Sequence, residues 1–236
     1  MDMSGSNPCI GVILPSSNRT VERAAHVIRQ VHPTLDICIT RVPYGGHPVD
    51  GYALEPFRYA ARMLAEARPG IILWNATRGA LLGFEPDRLL CTMIEEETGI
   101  PATTTALATL QTLRTRRLRR IGLVVQGTEA ESARLFHAFK YEDIGIVAST
   151  TLGIADNFLA VDVDEDTLAA AADELCSRAE LDATLIWSTN LGGYALPGRV
   201  GRAGIPLLDS ATIGFDIALE TLKAADAKLD VMFAGF

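Results

Sequence analysis

Short apolar runs alternate with amphipathic stretches along the whole chain. Residues 9–14, 36–42, 70–74 and 101–104 are short and apolar, which marks buried strands rather than helices. Residues 20–31, 54–67 and 86–98 carry apolar positions at three- and four-residue spacing, which predicts helices packed on one face. The pattern then starts again. Strands are expected at 120–125, 144–150, 183–187 and 205–208, with helices at 129–140, 165–179 and 213–224. Strand–helix alternation of this kind predicts parallel sheets joined by crossover helices.

The two halves echo each other in order. IGVILPSSN at 10–18 answers IGLVVQGTE at 121–129, LWNAT at 73–77 answers IWSTN at 186–190, and GIPATT at 99–104 answers GIPLLD at 204–209. Three matching landmarks in sequence indicate a duplicated α/β unit. The expected division is 8–108 plus 209–236 for one half and 109–208 for the other. Open parallel sheets bind ligands beyond the carboxyl ends of their strands. Two such halves would therefore ring one central cleft with small polar loops.

Composition narrows the function classes. The net charge is −8, which disfavours non-specific nucleic-acid binding. The basic run RTRRLRR at 114–120 fits a helix C-terminus, where cations are favoured. No apolar run approaches the roughly 20 residues of a membrane span, and residues 1–8 show no signal peptide. Cys9, Cys38, Cys91 and Cys176 form no CxxC pair and suit free thiols in a reducing compartment, so a cytoplasmic location is expected. His26, His32, His47 and His137 are scattered, and no metal site is expected. Neither GxGxxG, a Walker loop nor GxSxG occurs, so no nucleotide or other cofactor is expected.

Candidate chemistry gathers in the loops after strands. PSSNRT at 15–20 offers hydroxyls, an amide and a helix N-terminus, a fitting seat for a carboxylate or simply a cap. Asn75, Ala76, Thr77 and Arg78 follow one strand; Ser188, Thr189 and Asn190 follow its counterpart. Arg78 could pair with an anion in a forked geometry. Asn157 could donate to a carboxylate or close a turn. The glycine-bounded loop holding Tyr44, His47 and Tyr52 is a lid candidate.

PSSNRTVE at 15–22, LWNATRG at 73–79, GIPATTTALATLQTL at 99–113, RRIGLV at 119–124, LGIADNF at 152–158 and WSTNL at 187–191 make the chain resemble the maleate isomerase and arylmalonate decarboxylase branch of the aspartate/glutamate racemase superfamily. The resemblance implies two pseudo-symmetric flavodoxin-like halves, each a short parallel sheet flanked by helices, around a central cleft. It implies that Asn18 and Asn157 hold a substrate carboxylate. It also implies a cysteine after each central strand, but this chain has Ala76 and Ser188 there. (Matching Trp74 with Trp187 would instead pair Asn75 with Ser188.) A tyrosine usual after the fifth strand is replaced by Gly127 beside Thr128. A serine hydroxyl is a far weaker acid than a thiol, so thiol-based chemistry does not carry over.

The resulting expectation is a cofactor-independent enzyme acting on a small carboxylate or cyclic imide-like compound, as lyase, isomerase or hydrolase, without cysteine. Ser188 and His47 are the expected catalytic pair. Ser17, Asn18, Asn75, Ala76, Thr77, Gly127, Thr128, Asn157, Thr189 and Asn190 are expected around the substrate. The alternative is a catalytically silent small-carboxylate-binding protein. No nucleic-acid or membrane partner is expected, and the fold type allows a homodimer.

Overall fold

The computed structural model describes residues 7–43, 51–196 and 205–233, with side chains to residue 225. The first half runs β1 (Cys9–Pro15), α1 (Thr20–Val31), β2 (Asp36–Val42), α2 (Leu54–Glu66), β3 (Ile71–Trp74), α3 (Glu85–Thr98), β4 (Ala102–Thr104) and α4 (Thr105–Thr115). The second runs β5 (Arg120–Val125), α5 (Glu129–Tyr141), β6 (Gly145–Thr151), α6 (Glu165–Arg178), β7 (Ala183–Trp187), β8 (Leu207–Asp209) and α7 (Ser210–Phe233). All strand pairs are parallel, in the orders β2-β1-β3-β4 and β6-β5-β7-β8. The two sheets thus share one topology. β3 and β7 are buried at every position, as strands covered on both faces must be.

Two elements differ from the sequence expectation. α4 was foreshadowed only by the arginine cluster at its end. Its residues 105, 106, 108, 109, 110, 112 and 113 are all buried, so the helix lacks the polar face that periodicity detects. α7 begins at Ser210 and extends to Phe233, longer at both ends than expected.

The packing interleaves the halves. Ala106, Leu110 and Leu113 of α4 join a core with Ile121, Leu123, Ala183 and Leu185 of the second sheet. Ala211, Phe215, Ala218 and Leu222 of α7 join one with Ile10, Val12, Ile71 and Leu73 of the first. α7 approaches β3 closely because residue 214 is glycine: a Cβ there would sit 2.8 Å from Leu73 Cδ1. α2 and α3 cover the other face of the first sheet, and α6 the other face of the second.

A charged tie reinforces this arrangement. Glu142, buried just after α5, receives Arg88 of α3 at 2.7 Å and Arg114 of α4. Arg114 is thus a helix-end cation of the predicted kind with a specific partner. Both arginines stay partly solvated, which limits the value of the pair. Glu142→Ala is expected to cost about 1–2 kcal/mol. Chemical denaturation of the variant should show this loss, and an unchanged midpoint would remove the tie from the stability account.

Candidate active site

The loops at the carboxyl ends of β1, β3, β5 and β7 converge on a cavity of about 60 Å³. A single water needs about 10–15 Å³ on such a scale, so there is room for a small molecule with few heavy atoms. Ala76, Thr77 and Arg78 come from the loop after β3; Gln126, Gly127 and Glu131 from the β5–α5 junction; Ser188 and Thr189 from the loop after β7. Asn157 closes one side, and Leu81, Leu135, Ile154 and Trp187 are among its apolar walls.

Sheet register settles which loop residues correspond. Ile10 pairs with Ile71 and Ile13 with Trp74; in the second sheet Ile121 pairs with Ala183 and Val124 with Ile186. Trp74 therefore matches Ile186, and two residues further on Ala76 matches Ser188. Both line the cavity.

Of the residues expected around a substrate, Ala76, Thr77, Gly127, Asn157 and Thr189 line it, beside Ser188 of the expected catalytic pair. The others sit behind. Asn18 is buried, with Nδ2 donating to Thr189 O at 3.0 Å and Thr189 Oγ1 at 3.1 Å while Oδ1 accepts from Val21 N. Asn190 Oδ1 accepts from the N–H groups of Arg19 and Thr20, and its Nδ2 donates to Asn157 O. Asn75 Nδ2 donates to Ala211 O, and its Oδ1 accepts from Thr105 Oγ1. Ser17 Oγ accepts from Asn157 Nδ2 at 2.9 Å, and Thr128 caps α5. The N–H groups of Asn75 and Ala76 are taken by Ile13 O and Trp74 O, so they do not form an oxyanion hole. His47 lies outside the described residues. Tyr52 is no lid residue: it packs edge-on against Phe57 and Trp74 and accepts from Trp74 Nε1.

Ser188 is held from two sides. Its Oγ donates to Gln126 Oε1 at 2.5 Å and accepts from Asn190 N at 3.1 Å. A primary amide is not a base at neutral pH, so this bond orients the hydroxyl without activating it.

Sequence reasoning missed Gln126 and Glu131. Glu131 was legible as the fourth residue of T-x-x-E, a capping box, and the box is present: Glu131 Oε2 accepts from Thr128 N at 3.0 Å. Its carboxylate also fills the space beside Gly127, where a Cβ would lie 1.3 Å from Oε2. The acid thus stands where a larger residue at 127 would project. Arg78 is half-buried in the same cavity. Burial pulls its guanidinium down to about 10, and the nearby Glu131 charge opposes this. An anionic ligand would act in the same sense as Glu131.

Two buried carboxyls lie behind the cavity loops. Burial raises Asp87 to about 7, against a smaller downward pull from the Thr104 and Tyr52 hydroxyls. Burial likewise raises Asp209 to about 8, opposed by the Ala211 and Thr212 N–H groups. Cβ atoms at Gly79 and Gly193 would sit 2.2 and 2.5 Å from Asp87 Oδ2 and Asp209 Oδ2. These glycines let the two loops close over the acids.

Two pseudo-symmetric parallel sheets meeting at one small polar cavity define a protein of the aspartate/glutamate racemase superfamily, in the maleate isomerase and arylmalonate decarboxylase branch. The family model "Arylmalonate decarboxylase" matches residues 60–231, and the chain belongs to that family. It is 26% identical over 222 residues to arylmalonate decarboxylase of Bordetella bronchiseptica, covering 89% of this chain and 88% of that protein. A liganded double mutant of arylmalonate decarboxylase superposes with a TM-score of 0.79 at 24% identity, covering 91% and 92% of the two chains. A Nocardia farcinica maleate cis-trans isomerase mutant with a covalently bound succinylcysteine intermediate gives 0.79 at 23%, covering 92% and 93%. Among the described residues, no helix is long and apolar enough to cross a membrane.

The raised carboxyls make a pH prediction. Between the usual aspartate range near 4 and the folded values of about 7 and 8, the native state holds protons that the unfolded chain releases. Stability from these groups therefore falls as pH rises through that window. The loss of melting temperature between pH 5 and 8 should be smaller in Asp87→Asn and in Asp209→Asn than in the parent. Parallel profiles would show that neither group is linked to folding in this range.

Proposed function

We propose that the protein is a cofactor-independent enzyme acting on a small carboxylate or cyclic imide-like compound by chemistry that uses no cysteine. The carrying observation is the cavity lining itself. Among the described residues it combines one guanidinium, one carboxylate, three hydroxyls and two amides, and no sulfur. Arg78 supplies the charge for a substrate carboxylate, with the Thr77 and Thr189 hydroxyls and Asn157 close by. Glu131 is the carboxylate among the described lining residues, and we assign it the proton transfer that a thiol performs in a cysteine-dependent relative. Ser188, fixed by Gln126 and Asn190, positions substrate oxygen or a water. His47 remains the candidate base on the sequence reading alone. Decarboxylation and isomerisation both pass through a carbanion-like or addition intermediate, and one positioned acid with one cation suits either.

A second reading, a silent carboxylate-binding protein, has one observation in its favour: the Ser188 proton is directed at an amide rather than a base. Turnover separates the two. Maleate, arylmalonates, hydantoins and cyclic imides would be screened by thermal shift, and each stabilising compound incubated and analysed by mass spectrometry. A consumed ligand is the expected result; stabilising ligands that all survive would favour binding alone.

Two variants refine the assignment. Arg78→Met should weaken binding of a carboxylate hit about 10- to 100-fold, the value of one charge-assisted contact, as measured by calorimetry. Glu131→Gln preserves the capping box, since glutamine also serves there. It should retain binding and lose turnover by at least about 100-fold. Full activity in this variant, with Ser188→Ala and His47→Ala inactive, would move the chemistry to the serine and histidine.

A further inference from the structure

Cys9 and Cys38 lie on adjacent parallel strands, at the end of the first sheet opposite the cavity. Cys9 opens β1, opposite Asp36, and Cys38 lies two residues further along β2. The Cys9 thiol donates to Cys38 Sγ at 3.8 Å. Both are half-exposed, whereas Cys91 and Cys176 are buried. The pair borders a surface cavity of about 390 Å³ rimmed by Arg29, Arg68 and Asp36.

We infer that Cys9 and Cys38 form a reversible thiol–disulfide site that reacts with hydroperoxides. Contact between the sulfurs supplies the proximity a disulfide needs, and the half-exposed cavity supplies access for a small oxidant. The surroundings of Cys9 assign the roles and leave Cys38, in contact with it, as the attacking sulfur. Cys9 resolves: burial, with the neighbouring Cys38 adding to it, pushes its thiol up to about 12, so it keeps its proton until the second step. The Cys38 thiolate attacks a peroxide oxygen. The O–O bond breaks, the sulfur becomes a sulfenic acid, and the leaving alkoxide takes a proton to give the alcohol. Cys9 then attacks the Cys38 sulfur, and the displaced hydroxide takes the Cys9 proton to leave as water. Two thiols and one hydroperoxide thus give one disulfide, one alcohol and one water.

β2 carries this site toward the cavity side. Three residues beyond Cys38, Arg41 Nη1 donates to the carbonyls of Pro15, Ser16 and Asn18. A bond drawn between β1 and β2 is therefore made within the same strand pair that supports the Pro15–Asn18 loop.

The full chain would be treated with one equivalent of cumene hydroperoxide, then analysed by intact mass and by peptide mapping without reduction. The expected product has lost two hydrogens, links Cys9 to Cys38, and returns to the dithiol with dithiothreitol. Cys9→Ser should stop at a Cys38 sulfenic acid that dimedone traps, and Cys38→Ser should leave Cys9 unoxidised. Four unchanged thiols in the parent, an intermolecular disulfide, or oxidation beginning at Cys91 or Cys176 would each overturn the inference. The parent map suffices even where a variant does not fold, and its outcome is independent of whether the cavity turns over a substrate.

Discussion

The hydrogen-bonded seam between the loops after β1 and β7 is the constraint on which the site depends. Asn18 reaches across to Thr189, and Asn190 reaches back to the first turn of α1. Thr20 Oγ1 adds a bond to Asn190 O, and Asn157 ties its own loop to Ser17. Asn18 and Asn190 are buried, so each unmade bond would leave a polar group stranded at a cost of about 1–3 kcal/mol. The two sheets could slide on apolar contacts alone, because such contacts lack direction. These bonds supply the direction, and Thr189 Oγ1, donating to Asn75 O at 3.4 Å, extends the seam to the loop that carries Ala76.

The same seam explains which parts of the site were legible in the sequence. The strand–helix alternation, the duplication and the convergence of small polar loops follow from periodicity and internal repeats, both of which are local signals. Which face of each loop looks into the cavity does not. Asn18 and Asn190 have the residue type that binds a carboxylate, yet the same donors and acceptors serve equally to join two loops. Residue type states the capacity for a hydrogen bond, and tertiary structure chooses the partner. Gln126 was hidden for the opposite reason: nothing in IGLVVQGTE shows that its amide meets a serine 62 residues further on. α4 escaped delineation because it is wrapped on nearly every side, which erases periodicity while leaving the helix intact.

Glycine supplies the remaining freedom in the site. At residue 127 the missing side chain admits the Glu131 carboxylate, and at 79 and 193 it admits those of Asp87 and Asp209. All three positions follow central strands, where the chain must turn from a buried sheet into a loop. A bulky residue at any of them would push an acid outward into water or toward another partner. The chemistry open to this fold is thus set partly by where side chains are absent.

The same steric condition governs the acid–base role proposed for Glu131. A thiol delivers a proton from the strand end itself. The Glu131 carboxylate, on the helix after β5, stands in the cavity wall because Gly127, two residues beyond that strand, has no Cβ. Gly127 and Glu131 are therefore sterically coupled. A residue larger than glycine at 127 would displace Glu131, and without Glu131 the described cavity would hold only neutral donors and one guanidinium. Neutral donors and a cation bind an anion well, but they move no proton near pH 7. Under the proposed function, Gly127 and Glu131 together make the difference between a binding site and an active site.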